Sequence, residues 1–388
     1  MIMIDLYIMQ FLLYQKIFIE FISAGSLARW HAGGFRKQVI TNPAEFTRPG
    51  SVGYQYFDTV MNVQERKYKV KDKFFLAILL ILVVEVMAQQ DNSPNLTGPY
   101  LGQKPPGTTA RIFAPGVVSS QYFEHSSPAF TPDLKEIYWS TQIEVDGKEV
   151  AKPILFMKLS EGGWTKPAVP PFAKRFSTCE NPSIAPNGKR LFFTVRDSLS
   201  PGKFEIWYVN REGDHWGTPV RMEEEINHKE NGAFYPTIAN DGTMYFMSLM
   251  KDTETGYGIF VSKFINGRYG KPMPIDKFNR FPAEFAPYIA PDQSYIIFCS
   301  FRDGGYGSGD LYICFKKRDG SWGEIVNMGK KINTVLNERF PNVSPDGKYF
   351  FFNSTRRIAG AKADEPGNGQ GDVYWIDAKI IEELKPLE

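Results

Sequence analysis

The stretch from Phe340 to Ser354, FPNVSPDGKYFFFNS, decides the fold of this chain. A short apolar segment meets Ser-Pro-Asp-Gly, and an aromatic run ending in Asn-Ser follows. Because Pro-Asp-Gly favours a tight turn between two strands, the stretch predicts a β-hairpin. An isolated hairpin is only marginally stable in water, so the rest of the sequence must supply the strands that it pairs with.

The hairpin recurs at a nearly constant spacing. Four more stretches share its pattern: SPAFTPDLKEIYWST, NPSIAPNGKRLFFT, YPTIANDGTMYFMS and APYIAPDQSYIIFCS. Their prolines and that of the opening stretch lie 54, 54, 51 and 54 residues apart, at Pro128, Pro182, Pro236, Pro287 and Pro341. A third apolar segment follows each hairpin, and four units add a segment that begins at Trp164, Trp216, Tyr269 or Trp322. Four short strands in about 50 residues are typical of one propeller blade.

The two ends of the repeat region predict a closed ring. The fifth unit has no fourth segment, because the chain ends in AKIIEELKPLE. The segment RIFAPGVVSS, from Arg111 to Ser120, precedes the first unit and has the character of an outer strand. We therefore predict an all-β fold over residues 108–388, a propeller of five four-stranded blades closed by an N-terminal strand. A six-bladed ring is the alternative, but residues 89–122 are too few for another blade.

At these residues the chain resembles a known family. The pattern [F/I/V]-[S/A]-P-[D/N]-G-K-x-[I/L]-x-F-x-[S/T] resembles the TolB-type, WD40-like β-propeller repeat of bacterial envelope and exported proteins. The stretch SFRDGGYGSGDLYICF, from Ser300 to Phe315, resembles the version common in Bacteroidota-type bacteria. The resemblance implies a propeller that contacts a protein or a glycan. It is specific for fold and says little about activity, because such repeats serve many tasks.

The residues before the propeller predict export. From Met61, basic residues precede an apolar run and then Val86-Met87-Ala88, the layout of a secretory signal peptide over residues 61–88. We expect residues 1–60 to be an over-extended leader outside the fold; a membrane-inserting leader is the alternative. Residues 89–107 are polar and rich in Pro and Gly, which predicts a linker. The expected location is periplasmic or extracellular, with no membrane span in the mature chain.

Composition excludes several classes of chemistry. The formal net charge of +2 gives no indication of nucleic-acid binding. Only four His are present, and the sequence has neither G-x-S-x-G nor H-E-x-x-H. We assign no catalytic residue, and we expect no cofactor and no metal site.

Carboxylates precede three of the repeated prolines, at Glu180, Glu284 and Glu338, with Glu124 slightly further away. Since the inner strand of a blade lines the channel, these side chains are candidates for a ring at the channel mouth. Such carboxylates could serve glycoside hydrolysis or bind a cation. Their repetition favours a structural role in which each one accepts hydrogen bonds within the fold.

Arginines end several second strands, at Arg196, Arg302 and Arg356. An acid opens the third strand of the same blades, at Glu205, Asp310 and Asp372. A salt bridge across the hairpin is the favoured interpretation, and an exposed set of arginines for an anionic sugar or a peptide carboxylate is the alternative. For the four repeated aromatic residues, blade packing is favoured over sugar stacking. Cys299 and Cys314 could form a disulfide or stay as buried thiols.

The loops between second and third strands vary most between repeats, and variable loops on a rigid scaffold are where binding usually resides. We therefore predict a non-catalytic binding module, a monomer whose loop face recognises an envelope protein or a glycan. The alternative is a carbohydrate-active hydrolase or lyase that uses carboxylates at the channel mouth.

Overall fold

The computed structural model describes residues 96–145, 148–196, 204–250, 256–279 and 284–386. The predicted leader and signal peptide lie outside the described residues. Within these ranges, no helix is long and apolar enough to cross a membrane. The strands form five antiparallel blades, so the predicted five-bladed propeller is confirmed and the six-bladed alternative is wrong.

The first two blades carry extra short strands beside the usual four. The strand that precedes them is β1 (Arg111–Ile112). The first blade consists of β2 (Phe123–Glu124), β3 (Ala129–Phe130), β4 (Glu136–Val145), β5 (Lys148–Ala151), β6 (Ile154–Ser160) and β7 (Gly163–Trp164). The second blade consists of β8 (Cys179–Ile184), β9 (Arg190–Arg196), β10 (Phe204–Glu212), β11 (His215–Trp216) and β12 (Val220–Arg221).

The other three blades keep the four-stranded plan. The third consists of β13 (Phe234–Ile238), β14 (Met244–Leu249), β15 (Tyr257–Ser262) and β18 (Met273–Pro274), with a small hairpin of β16 (Phe264–Ile265) and β17 (Arg268–Tyr269). The fourth consists of β19 (Phe285–Ile289), β20 (Tyr295–Ser300), β21 (Asp310–Lys316) and β22 (Trp322–Asn327). The fifth consists of β23 (Glu338–Val343), β24 (Tyr349–Ser354) and β25 (Asp372–Asp377). Short helices cover Pro99–Gly102, Pro171–Ala173, Asp276–Phe278 and Lys379–Glu383.

The ring closes as predicted. Strand β1 pairs antiparallel with β25, with Arg111 opposite Trp375 and Ile112 opposite Tyr374, and so supplies the outer strand of the fifth blade. Phe113, which follows β1, is fully buried, and its ring contacts that of Trp375 at 5.1 Å. Closure removes an exposed sheet edge and buries aromatic surface at the same seam.

The aromatic run of the opening hairpin is buried on both faces of its strand. Phe350 and Phe352 belong to one hydrophobic cluster, and Phe351 belongs to another. This alternation follows from the two-residue period of a strand. A blade sandwiched between two neighbours therefore needs apolar residues on both sides, which explains why the run is continuous.

Part of the predicted linker packs on the propeller. Tyr100 and Leu101 are buried in the same cluster as Phe113, and the indole Nε1 of Trp164 donates to the Gly98 carbonyl oxygen at 2.8 Å. The Tyr100 hydroxyl donates to Asp346 Oδ1 at 2.5 Å. Residues 98–101 are thereby attached to the first and fifth blades, on either side of the seam.

The inner strands share a bulge at the repeated proline. The residue before the proline has a left-handed backbone in four blades: Asn181, Tyr235, Ala286 and Phe340, with φ of 54°, 54°, 51° and 51°. The strand register shifts at the same place in each of these blades. Because proline has no N–H for the ladder, a bulge lets it sit inside a paired strand.

Candidate functional site

The centre of the propeller holds a small cavity of about 60 Å³. Its lining includes four of the five repeated prolines, Pro182, Pro236, Pro287 and Pro341, and the left-handed residues before them. The ring of Phe340 contacts that of Tyr235 at 5.7 Å and that of His125 at 5.1 Å. These residues come from the fifth, third and first blades, which are not all neighbours. Aromatic rings from three blades therefore meet across the channel, near the end at which the chain enters each inner strand.

Glu338 is buried, and its carboxylate accepts hydrogen bonds from groups that lie near it in the chain. Its carboxylate accepts from the Ser354 hydroxyl at 2.6 Å, from the Thr334 backbone N–H at 2.7 Å and from the Thr334 hydroxyl at 2.8 Å. The Arg356 guanidinium lies 3.5 Å away. The predicted structural role fits this carboxylate, since all of these groups lie in the fifth blade or the loop that enters it.

Glu284 occupies the equivalent position in the fourth blade and likewise faces an arginine. It is fully buried and forms an ion pair with Arg302. Burial raises the pKa of Glu284 to about 7, against the opposing effect of Arg302. A raised pKa is a property of catalytic acids, but this carboxyl has no exposed surface through which it could reach a substrate.

The two arginines repeat each other in detail. Arg302 Nε donates to the Ser300 hydroxyl at 3.2 Å, and Arg356 Nε donates to the Ser354 hydroxyl at 2.8 Å. Each guanidinium also lies over a tyrosine of the third strand, Tyr312 at 4.8 Å and Tyr374 at 4.6 Å. Repetition of a glutamate, a serine, an arginine and a tyrosine in two blades marks a structural unit.

The predicted salt bridges across the hairpins have other partners. Asp310 lies opposite Ser300, and Asp372 lies opposite Ser354, two residues short of each arginine. Asp310 accepts from the backbone N–H groups of Tyr306 and Gly307, at 2.6 and 3.0 Å. Asp372 accepts from the Gly367 N–H at 2.8 Å. In the second blade, Glu205 pairs with Arg221 at 2.8 Å. Arg302 and Arg356 lie two residues beyond the paired ends of their strands and pair with Glu284 and Glu338, whereas Arg196 ends its strand opposite Phe204 and pairs with Glu149.

Glu124 belongs with Glu284 and Glu338, although its sequence spacing differs. It accepts from the Ser120 hydroxyl at 2.7 Å, as Glu338 accepts from Thr334, and both donor residues come four positions earlier. Glu124 is fully buried, and burial raises its pKa well above the usual range, with the nearby Asp372 adding to the effect. One oxygen of each carboxyl, Glu124 Oε2 and Asp372 Oδ1, has no hydrogen-bond partner among the described residues.

Glu180 stands apart from this set. It lies two residues before its proline, whereas Glu284 and Glu338 lie three residues before theirs. A shift of one residue turns a side chain to the opposite face of a strand. In the second blade the buried Cys179 lies three residues before the proline, the position that Glu284 and Glu338 have in their blades. The three carboxylates that we predicted as one ring are therefore two kinds of residue.

Glu180 contacts the first blade through a histidine and a lysine. Its Oε2 lies 3.0 Å from His125 Nδ1 and 3.6 Å from Lys152 Nζ. Lys152 also pairs with Glu149 at 3.1 Å, and Arg196 pairs with Glu149 at 3.3 Å. Burial opposes ionisation, but His125, Lys152 and Arg196 together hold the pKa of Glu180 below its usual value. Glu180 is therefore an ionised group in a cluster that occurs at this blade boundary.

Arg339 is a mouth residue that the sequence analysis missed. It lies two residues before Pro341, the position that Glu180 has before Pro182. Its guanidinium carbon lies 6.0 Å from the Phe285 ring centre, and its Nε is buried without a hydrogen-bond partner among the described residues. By contrast, ion pairs join the three predicted arginines to carboxylates. The spacing from the proline was the signal that could have identified it.

The remaining predicted residues take part in packing. The Trp216 indole N–H donates to the Tyr138 hydroxyl at 2.8 Å, and Trp322 contacts Phe278 at 5.3 Å. The three cysteines are buried and free, so Cys299 and Cys314 do not form a disulfide. No cluster of three or more potential metal ligands occurs among His, Cys, Asp and Glu of the described residues.

Comparisons with known proteins bear on the fold alone. No protein-family model and no curated protein matches the sequence. TolB from Acinetobacter baumannii is 17% identical, with a TM-score of 0.37 over 64% of this chain and 53% of that one. An α-L-arabinofuranosidase from Podospora anserina is 11% identical, with a TM-score of 0.40 over 72% and 94%. A xylan β-1,4-xylosidase from Bacillus halodurans C-125 is 10% identical, with a TM-score of 0.42 over 68% and 54%. With sequence identities and TM-scores this low, the similarities do not distinguish a binding module from an enzyme.

Proposed function

We propose that this protein is an exported, non-catalytic binding module of the bacterial cell envelope, whose loop face at the channel mouth recognises a protein or a glycan. Export rests on the signal-peptide layout of residues 61–88, and assignment to the TolB-type repeat rests on the repeated motif. The expected state is a monomer in the periplasm or outside the cell.

One observation carries the proposal. The carboxyls whose pKa is raised, Glu124, Glu284 and Asp372, are each at most 1% exposed. The carboxylate at the mouth, Glu180, has its pKa held low by neighbouring cations. A glycosidase needs an accessible acid with a raised pKa beside a second carboxylate. The described part of the mouth offers the charge of Arg339 for recognition and lacks that accessible acid, since Glu180 is itself only 2% exposed.

The test separates binding from turnover. The full-length protein is immobilised, exposed to cell-envelope extract and washed, and retained proteins and glycans are identified. In parallel, envelope glycans are incubated with the protein and analysed for shortened products. Glu180→Gln is compared with Glu161→Gln, a matched change at an exposed turn. A retained partner with unchanged glycans supports the proposal. Glycan cleavage by the wild type that Glu180→Gln abolishes while it remains folded, and Glu161→Gln does not abolish, would establish the competing carbohydrate-active enzyme.

A further inference from the structure

Exposed apolar side chains gather on the loops next to the channel mouth in the fourth and fifth blades. Phe301 is 42% exposed, Tyr306 50%, Val335 78% and Leu336 38%. They lie on two loops, 301–309 and 328–337, which are joined by a hydrogen bond from the Ser308 N–H to the Leu336 carbonyl oxygen at 3.0 Å. We name these four residues the blade 4–5 patch. A cluster of exposed apolar residues on one face is typical of an interaction site.

The patch is continuous with Arg339. The Arg339 guanidinium lies over Phe285 at 6.0 Å, and the Phe285 ring stacks on Phe301 at 5.4 Å. We call Arg339, Phe285 and the blade 4–5 patch the strip. One end of the strip is the Arg339 cation, whose Nε is buried and has no partner among the described residues, and the other end is exposed and apolar. Burying part of a guanidinium without a partner costs free energy, which an incoming carboxylate would offset.

Three charged groups lie near the mouth. Burial raises the pKa of Tyr235, whose ring lies there; Glu180 adds to that rise, and Arg339 and Arg196 oppose it. Of these, Arg196 and Glu180 have opposite charges nearby, in Glu149 and in Lys152. Arg339 is the cation of this group for which no carboxylate is supplied by the described residues, and a planar guanidinium suits a carboxylate in bidentate geometry.

We propose that this strip binds a segment of a partner protein that carries a carboxylate for Arg339 and an apolar side chain for the blade 4–5 patch. The proposal rests on the binding function proposed above and specifies its partner. Phe301 and Tyr306 could contact either a peptide or a sugar. Val335, the most exposed residue of the patch at 78%, and Leu336 present neither a flat ring for stacking nor a group that bonds sugar hydroxyls, which favours an apolar peptide side chain. Three extended residues span about 10 Å, which suits the two successive ring contacts along the strip.

The experiment selects peptides with the full-length protein. A library of degenerate decapeptides is passed over the immobilised protein, and bound peptides are sequenced for an acidic residue followed about three positions later by Leu, Val or Phe. The most enriched peptide is then measured by fluorescence anisotropy beside two analogues, one with Gln for the acidic residue and one with Ser for the apolar residue. Oligogalacturonate serves as the glycan probe that carries carboxylates.

Two variants and two matched controls test the site. Arg339→Gln and Phe301→Ser change the strip, whereas Arg268→Gln and Ile265→Ser make the same changes on the exposed β16–β17 hairpin. Thermal unfolding verifies that each variant is folded. We expect roughly tenfold or greater weakening for Arg339→Gln and for the Gln peptide, since a charge-assisted hydrogen bond is lost. Phe301→Ser and the Ser peptide should weaken binding several-fold, and the controls should bind as the wild type does.

Three results would overturn the inference: no enriched acidic and apolar pattern, peptide binding that folded Arg339→Gln leaves unchanged, or Arg339-dependent binding of oligogalacturonate in place of peptides. The envelope pull-down distinguishes the two proposals. If Arg339→Gln and Phe301→Ser still retain the wild-type partner, the binding function stands and this surface is the wrong one. Glycan cleavage that depends on Glu180 would instead remove the binding function itself.

Discussion

His125 of the first blade and Glu180 of the second meet across the blade boundary, with Nδ1 3.0 Å from Oε2. Lys152 approaches the same carboxylate oxygen at 3.6 Å, and all three side chains are largely buried. The cluster therefore joins two blades by charge at the channel mouth, where the fourth and fifth blades use glutamate–arginine pairs within single blades.

Replacing Glu180 with Gln should lower the free energy of unfolding by roughly 3–5 kcal/mol, because Lys152 and His125 lose a buried anionic partner. A carboxyl whose folded pKa is lowered stabilises the fold above its unfolded pKa, and this contribution is lost as pH falls through the folded pKa. Urea denaturation of the variant should therefore show a shallower loss of stability below pH 4 than the wild type shows. Equal acid sensitivity of the two proteins would contradict the assigned ion pair.

Ala286→Gly should stabilise the protein by about 1 kcal/mol. Ala286 has φ of 51°, a left-handed conformation that costs an L-residue roughly 1–2 kcal/mol and costs glycine almost nothing. The matched change Ala290→Gly, at another buried position without positive φ, should destabilise instead. Urea midpoints of both variants measure the difference. A loss of stability in both would mean that the bulge before Pro287 is not strained.

Stability should fall as pH rises from about 4 to 8, in part through Asp372. Burial raises its pKa to about 6, and the folded state therefore binds a proton that the unfolded state releases at lower pH. This contribution is complete near pH 4 and is lost as pH rises through about 6. Glu124, whose pKa is also raised by burial, acts in the same direction, and Glu284, whose pKa burial raises to about 7, extends the effect to higher pH.

Asp372→Asn keeps an acceptor for the Gly367 N–H and removes the titration. Between pH 5 and pH 8 the variant should lose about 1.4 kcal/mol less stability than the wild type. Asp303→Asn, a change at an exposed loop position, should leave the wild-type slope unchanged. The prediction fails if Asp372→Asn and the wild type have parallel pH profiles.

Phe113→Ala should cost about 3–5 kcal/mol, as is usual for truncating a buried aromatic side chain. The ring is fully buried and contacts Phe351 at 5.2 Å and Trp375 at 5.1 Å, beside the strand that closes the ring. Ile265→Ala, at a position that is 59% exposed, serves as the control and should change stability by less than about 0.5 kcal/mol. Similar small effects from both variants would show that the N-terminal strand does not hold the propeller closed.

The sequence was sufficient for the architecture because the blade is a local unit that repeats. The proline, the turn and the aromatic run recur at nearly constant spacing, and each predicts the same hairpin. The missing last strand and the orphan segment at Arg111 then required closure, which the pairing of β1 with β25 confirms. These features depend on short-range turn chemistry and the two-residue strand period, both of which are visible in a single chain.

The candidate site was predicted less well. Glu180, Glu284 and Glu338 look alike in sequence, but one position of offset places Glu180 on a different face. The predicted partners of Arg302 and Arg356 were wrong because the strands end before the arginines. The spacing of Arg339 from Pro341 places it at the mouth, but nothing local in the sequence shows whether an arginine has a carboxylate close to it.

By itself, the sequence determined the repeat, the number of blades and the way that the ring closes, because these follow from local turns and from alternating burial along each strand. The tertiary structure alone decided which charges meet. His125 and Glu180 are 55 residues apart in the chain, and Arg339 reaches Phe285 from the neighbouring blade. Such contacts depend on bulges and on the packing of one blade against the next, and a shift of a single residue reverses the direction of a side chain.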